Sequence, residues 1–287
     1  MLKFITWNVN SLRARFLHLQ QLIDSENPDV IMLQEVRADE SKLDKQALQD
    51  LGYNVVYSLF GGKSGVMILS RREIDSLSTS FATPNVERHN ANFLLQPNNI
   101  LEGRYIEICL VANGKSFCLS SVYFPNGGNS SEDDKNFRSV EESERFNYKL
   151  AFYDDFIAHS KTLLTKADYT IIGGDFNVAR EARDVHNPKA FEGVPCFHPL
   201  EHARFATMLE NGYEDFFRLQ NPNLSVYTWW DYRKFSYPQN KGLRIDYIIG
   251  SQNIKQNFTT QSTHLTYYRE LDRPSDHCPI ALALNPS

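Results

Sequence analysis

Five apolar runs in this chain end in, or carry, a carboxylate or an amide. Phe4-Ile5-Thr6-Trp7 runs into Asn8, and Val30-Ile31-Met32-Leu33-Gln34 runs into Glu35. Ile171-Ile172-Gly173-Gly174 leads to Asp175-Phe176-Asn177. Arg244-Ile245-Asp246-Tyr247-Ile248-Ile249 holds its acid inside the run, and Ser275-Asp276-His277 precedes Cys278-Pro279-Ile280-Ala281-Leu282. A buried carboxylate without a partner is costly, and any one of these alone reads as an N-cap, a turn residue or half of an ion pair. Five together, converging at one edge of a sandwich, make a site of oxygen donors for a hard cation such as Mg2+ or Mn2+. Sites of that kind serve phosphate chemistry, which needs charge neutralisation more than covalent help. His277 adds a titratable base or cation beside the acids. A carboxylate on one ring nitrogen would fix its tautomer and raise its pKa. Adjacent strand residues face opposite ways, so Asp246 is the expected partner and Asp276 is left for the metal side.

The elements that must position these groups are short. Strands are expected over 2–7, 29–34, 65–70, 105–111, 116–124, 169–173, 226–230, 244–249 and 279–284, each rich in β-branched or aromatic residues and bounded by Gly, Pro, Asn or Asp. Leu12, Phe16, Leu19 and Ile23 recur at helical spacing after Ser11, an expected N-cap, and Asn27-Pro28 stops the run. Further helices are expected over roughly 43–51, 142–164 and 199–211. Strands interleaved with helices over 287 residues predict two packed β-sheets flanked by helices, an α+β architecture. The chain length suits one domain. Asn113-Gly114 as a two-residue turn sets Cys109 opposite Cys118, expected as two buried free thiols.

Composition limits the classes. Apolar residues make up 41% and charged residues 23%, which excludes a disordered or fibrous chain. No apolar run approaches the roughly 18 residues of a membrane span, so no membrane association and a cytoplasmic location are expected. The four cysteines contain no C-x-x-C pair. His198 and His202 lie four apart, but Pro199 opens a helix between them and no third ligand is evident, so a polar first turn is expected rather than zinc. A net charge of −5 offers no bulk attraction to nucleic acid. A local basic face is therefore expected, with Arg71, Arg72, Lys234 and Lys241 as contributors.

In order along the chain stand Thr6-Trp7-Asn8-Val9-Asn10, Leu33-Gln34-Glu35, Gly65-Val66, Glu102-Gly103-Arg104 and Tyr123-Phe124-Pro125-Asn126. After them come Gly173-Gly174-Asp175-Phe176-Asn177-Val178-Ala179, Gly242-Leu243-Arg244-Ile245-Asp246-Tyr247 and Ser275-Asp276-His277-Cys278-Pro279. Together these resemble the exonuclease III family of abasic-site endonucleases, within the endonuclease/exonuclease/phosphatase superfamily, over essentially the whole chain. The resemblance implies a DNase I-like four-layer α/β sandwich in a single catalytic domain over 1–287. It implies Glu35 as principal ligand of Mg2+ (Mn2+ substituting), with Asn8 and Asp276 nearby. Asp175 would activate the attacking water or protonate the departing 3′ oxygen. Tyr123, Asn177 and His277 would donate to the phosphate oxygens, and Asp246 would hold His277. Trp229 and Leu243 would wall a pocket for an extruded sugar, and Asn126 and Arg104 would border the substrate. The implied partner is double-stranded DNA with abasic sites or 3′ ends, cut by a monomer that is nucleoid-associated when acting.

The chain departs from that pattern at Lys63-Ser64, at Asn129 and at Cys196-Phe197-His198-Pro199, where relatives often carry an aromatic residue, an arginine and a small residue. Two other readings use the same acids: a phosphatase of inositol phosphates, sphingomyelin or RNA tails, and a DNA-binding scaffold without turnover.

Overall fold

The computed structural model describes residues 1–81, 102–128, 139–233 and 235–287. Asn129, the acidic run Glu132-Asp133-Asp134 and Lys234 lie outside the described residues. In chain order the strands are β1 (Leu2–Asn8), β2 (Val30–Gln34), β3 (Asn54–Phe60), β4 (Ser64–Ser70), β5 (Ser76–Ser78), β6 (Tyr105–Ala112) and β7 (Lys115–Tyr123). They continue with β8 (Tyr169–Asp175), β9 (Tyr213–Asp215), β10 (Asp246–Ser251), β11 (Phe258–His264) and β12 (Ile280–Pro286). The helices are α1 (Leu12–Glu26), α2 (Lys45–Asp50), α3 (Glu144–Leu163), α4 (Pro188–Phe191), α5 (Pro199–Glu210), α6 (Phe216–Gln220) and α7 (Ile254–Asn257).

Two six-stranded sheets form, in the orders β11-β12-β1-β2-β4-β3 and β5-β6-β7-β8-β10-β9. Each has a parallel pair at its centre, β1 with β2 and β7 with β8, and antiparallel strands on either side. Alternation sends Phe4, Val30, Met32, Ile108, Leu119 and Ile171 into the layer between the sheets. Ile5, Trp7, Ile31 and Leu33 face outward under α1. Val122 and Ile172 face outward under α3 and α5, with Phe156 and Phe205 as the helical contribution. Both faces of the central strands are therefore buried, which is why they read as unbroken apolar runs. The result is four layers, with the expected flanking helices in place.

The repeated plan fixes where polar groups gather. The carboxyl ends of both parallel pairs, Asn8 and Gln34 in one sheet and Tyr123 and Asp175 in the other, lie at the same edge of the sandwich as the start of β10 at Asp246. Glycines let the layers close there. A Cβ on Gly174 would lie 2.0 Å from the Val122 carbonyl oxygen, and one on Gly173 would meet the Met32 and Thr6 side chains of the facing sheet.

All eight interior strands stand where the sequence predicts them, within a few residues at their ends. The four edge strands β3, β5, β9 and β11 were not expected. The strand expected over 226–230 does not form: Trp229 makes only single bridges to Leu243 and His277. Its aromatic composition builds a wall between segments instead of a ladder. Ser11 is not a side-chain cap. Its φ is 87° and its backbone N–H donates to the Glu35 carbonyl at 2.8 Å, while Leu12 N–H donates to Val36 at 3.1 Å. Residues 9–12 thus extend the β1–β2 pairing past the strands' ends. Cys109 does pair with Cys118 across the Asn113-Gly114 turn, but Cys109 is half-buried rather than buried.

Candidate active site

Asn8 and Glu35 leave the ends of β1 and β2 side by side, Glu35 in a left-handed turn with φ 49°. The backbone pairing of 9–12 with 34–36 holds that turn, which costs strain a non-glycine residue rarely bears without a use. Asn8 Nδ2 spans two carboxylates, donating to Glu35 Oε1 at 2.8 Å and to Asp175 Oδ2 at 2.9 Å. Arg37, also left-handed and partly exposed, closes on the other Glu35 oxygen.

From the second sheet come Asp175, Tyr123 and Asp246. Asp175 Oδ1 accepts from Asn177 N–H at 2.9 Å, an Asx turn that puts Asn177 at φ 51°. Asn177 Nδ2 donates to the Phe124 carbonyl at 2.9 Å. Its own carbonyl accepts from Lys149, which is wholly buried and ion-paired with Glu201. Asp246 accepts from His277 Nδ1 through both oxygens, at 2.8 and 3.0 Å. The other ring nitrogen, Nε2, lies 3.9 Å from Asp175 Oδ2. Among the described residues, Glu35, Asp175 and His277 each offer an atom within 4.8 Å of the others, a spacing that could hold a metal ion.

The electrostatics follow from three carboxylates sharing one imidazole. Burial, then the Asp246 charge, push the Asp175 carboxyl up to about 8, against the opposing pull of His277. Burial alone would lower His277, but the charge and hydrogen bond of Asp246 carry it up to about 10, which favours the imidazolium. Burial and the neighbouring Glu35 carboxylate hold the Tyr123 phenol well above its usual range, which keeps it a donor.

Asp276 lies beside this group. Its oxygens accept from Asn10 Nδ2 at 2.8 Å and from Trp229 Nε1 at 3.0 Å. Burial would raise its carboxyl, but His277 and these two hydrogen bonds hold it below the ordinary value. Trp229 and Leu243 pack with Ala179, Val185, Ile245, Phe191, Cys196 and Phe197 into a small apolar cluster next to His277. Asn126 is exposed at the rim. Arg104 lies over the Tyr123 ring at 4.8 Å and reaches Glu102 at 3.5 Å.

Other expected residues sort differently. His198 caps α5, accepting from Leu200 N–H at 3.2 Å and meeting Glu141 at 3.1 Å, while His202 meets the Ala179 carbonyl at 3.0 Å. Arg71 and Arg72 stand at the far end of β4, next to the start of β2, where Arg72 pairs with Asp29 at 3.0 Å. They do not belong to the face around Glu35, because β4 runs antiparallel to β2 and ends away from the site. Sequence reasoning missed Asn10, Thr228 and Lys149. The Thr228 hydroxyl accepts from both Ile245 and Asp246 N–H at 3.0 Å, fixing the entry to β10. A signal for Lys149 existed: with Phe146, Tyr153 and Phe156 it occupies the apolar stripe of α3, where a lysine has no solvent reason to be.

Comparison with known proteins shows the family and the fold. Residues 5–277 match the model of the endonuclease/exonuclease/phosphatase family. Exodeoxyribonuclease III of Haemophilus influenzae is 30% identical, across 97% of this chain and 98% of that protein. The solved structure of an AP endonuclease from Archaeoglobus fulgidus superimposes with a TM-score of 0.84 at 27% identity, covering 99% of this chain and all of that one. A 3′ phosphatase from Neisseria, solved bound to a product DNA hairpin, gives 0.85 at 26% identity over 99% of this chain and 100% of its own.

Proposed function

The chain belongs to the endonuclease/exonuclease/phosphatase family, in its exonuclease III branch, and from that premise we propose its reaction. It is a hydrolase, a DNA-repair nuclease. Its substrates are the backbone 5′ to abasic sites and the 3′ ends of double-stranded DNA, where it acts as 3′-to-5′ exonuclease and 3′-phosphatase and leaves a 3′-hydroxyl. One catalytic domain spans 1–287 and works as a monomer. None of the described helices is long and apolar enough to cross a membrane.

The observation that carries this reading is the meeting of Glu35, Asp175 and His277, whose ligand atoms lie within 4.8 Å of one another, with Asp246 behind the imidazole. That oxygen-rich donor set fits a hard divalent cation, Mg2+ with Mn2+ as substitute, held by Glu35 with Asn8 and Asp276 nearby. When bound, the cation neutralises charge on the scissile phosphate. The residues supply the rest. His277, charged and oriented by Asp246, donates from Nε2 to a non-bridging oxygen as charge grows there. The Tyr123 phenol and the Asn177 amide donate to the same group. Asp175, between the phosphate donors and Asn8, takes the proton of the attacking water or returns one to the departing 3′ oxygen. Trp229 and Leu243 offer the apolar wall that an extruded abasic sugar fills, and extrusion costs least where no base is stacked.

The test is a labelled duplex with one abasic analogue and a second with a 3′-phosphate, each incubated with Mg2+ and with excess EDTA. Cutting at the analogue or loss of the 3′-phosphate, in Mg2+ alone, is expected. Intact DNA in every lane, with turnover of inositol phosphates or sphingomyelin, would overturn the reading.

A further inference from the structure

A pair of thiols lies on the helix-covered face of the second sheet, midway along β6 and β7. Cys118 is five residues before Tyr123 on β7, which at about 3.3 Å per residue places it about 17 Å from the catalytic edge. It packs into the core beneath α3, while Cys109 faces it from β6 and is half-exposed beside the short edge strand β5. The pairing is of the non-hydrogen-bonded kind. The two-residue turn makes Ala112 and Lys115 the hydrogen-bonded pair, and alternation leaves Cys109 and Cys118 without mutual backbone bonds. Independently, the Cys109 carbonyl turns away from β7 and accepts from Asp75 N–H at 2.8 Å. In such pairs Cα atoms approach to about 4.5 Å, inside the range that a disulfide spans.

We infer that Cys109 and Cys118 form a reversible thiol–disulfide pair, with Cys109 as the attacking thiol, Cys118 as the resolving thiol, and low-molecular-weight disulfides such as oxidised glutathione as the oxidant.

The surroundings suit that division of labour. Cys109 is the half-exposed thiol and Cys118 the buried one; their contact draws the Cys109 thiol down to about 6, although burial opposes it, and the same contact together with burial raises Cys118. Lys166, which closes over Glu107 two residues along β6, offsets part of that carboxylate's opposing charge on Cys109. The Cys109 thiolate attacks one sulfur of the oxidised glutathione and expels one glutathione thiolate, forming a mixed disulfide. Cys118 then loses its proton and attacks the Cys109 sulfur, and the second glutathione leaves as the thiol. Two protein thiols are oxidised to one disulfide, and one glutathione disulfide is reduced to two thiols.

The experiment treats the full-length protein with oxidised glutathione, then counts thiols in denaturant and maps peptides by mass spectrometry. The count is expected to fall from four to two, with the Cys109 and Cys118 peptides joined and dithiothreitol restoring all four. In Cys118→Ser, checked for native circular dichroism, glutathione is expected to remain on Cys109. Four surviving thiols, a stable glutathione adduct on wild-type Cys109, or a bridge to Cys196 or Cys278 would each overturn the inference.

Discussion

Two buried clusters of acids lie within a few residues of each other along the Gly242–Tyr247 segment, and they are balanced differently. In one, Asp184 and Asp215 meet Arg218 and Arg244. Arg244 Nη2 holds both Asp215 oxygens at 2.7 and 2.8 Å, and Arg218 closes on Asp184. The Arg244 guanidinium nitrogens without hydrogen-bond partners lie against aromatic faces, with its centre 4.4 Å from the Tyr247 ring and 5.0 Å from Phe217. Two carboxylates and two permanently charged guanidiniums cancel. In the other, Glu35, Asp175 and Asp246 share one titratable imidazole and the partly exposed Arg37. Burial raises an acid in each cluster, and in the first the arginines oppose it. In the second, Asp246 adds to it and takes Asp175 up to about 8. Balanced charge marks scaffolding, whereas a standing deficit marks a place built to receive a cation and a phosphate.

Substitutions in each cluster should therefore fail in different ways. Asp246→Asn removes the carboxylate that orients and charges His277. By analogy with other buried carboxylate–imidazole pairs, kcat should fall about 10³–10⁴-fold. Relief of repulsion with Asp175 offsets the lost pairing with His277, whose ring can shed its proton, so urea stability should change little. An inactive variant that has also lost stability would erase the contrast. Arg244→Met should do the reverse. It leaves two buried acids short of a partner and should lower stability by about 3–5 kcal/mol in urea denaturation, while the folded fraction keeps most of its kcat. A loss below about 1 kcal/mol would show that this network is not what holds the segment.

The same contrast explains what was legible in the sequence. The eight interior strands are buried on both faces, so their apolar runs stand out and their polar ends mark the site. Edge strands are half-solvated. β11, Phe258-Thr259-Thr260-Gln261-Ser262-Thr263-His264, has a burial pattern that alternates with no apolar run to reveal it. Tyr227-Thr228-Trp229-Trp230 carries strand composition for a different reason, since its rings pack into two small apolar clusters and the Thr228 hydroxyl anchors β10. The acids of the candidate site were readable because Glu35 and Asp175 stand at the ends of apolar strands and Asp246 interrupts an apolar run. The balanced network was not: Asp184 comes from a short turn and Asp215 and Arg218 from the junction of β9 and α6, and nothing in their spacing shows that the chain brings them to Arg244. Arg71 and Arg72 misled because charge composition carries no information about which end of a strand a residue occupies.

The two clusters also set two imidazoles in opposite states, which yields the subtlest prediction. His277, among acids, is held charged. His264 stacks on Phe217 at 3.9 Å with both ring nitrogens shielded and, among the described residues, without hydrogen-bond partners. Burial, and then the charges of Arg244 and Arg218 facing it, hold it well below its ordinary 6.5. Above that value the ring is neutral in both folded and unfolded chains, and its favourable packing is fully present. As pH falls through it, the unfolded chain takes up a proton that the native state refuses, and stability declines by up to about 1.4 kcal/mol per pH unit until the folded pKa is reached. His264→Phe keeps the stack and removes the titration. Urea midpoints of wild type and variant should run parallel above pH ~6.5 and diverge below it, the wild type losing more stability as pH falls. Parallel curves throughout would mean that the ring finds a proton-accepting partner in the native state, and that the arginine cluster does not control its charge.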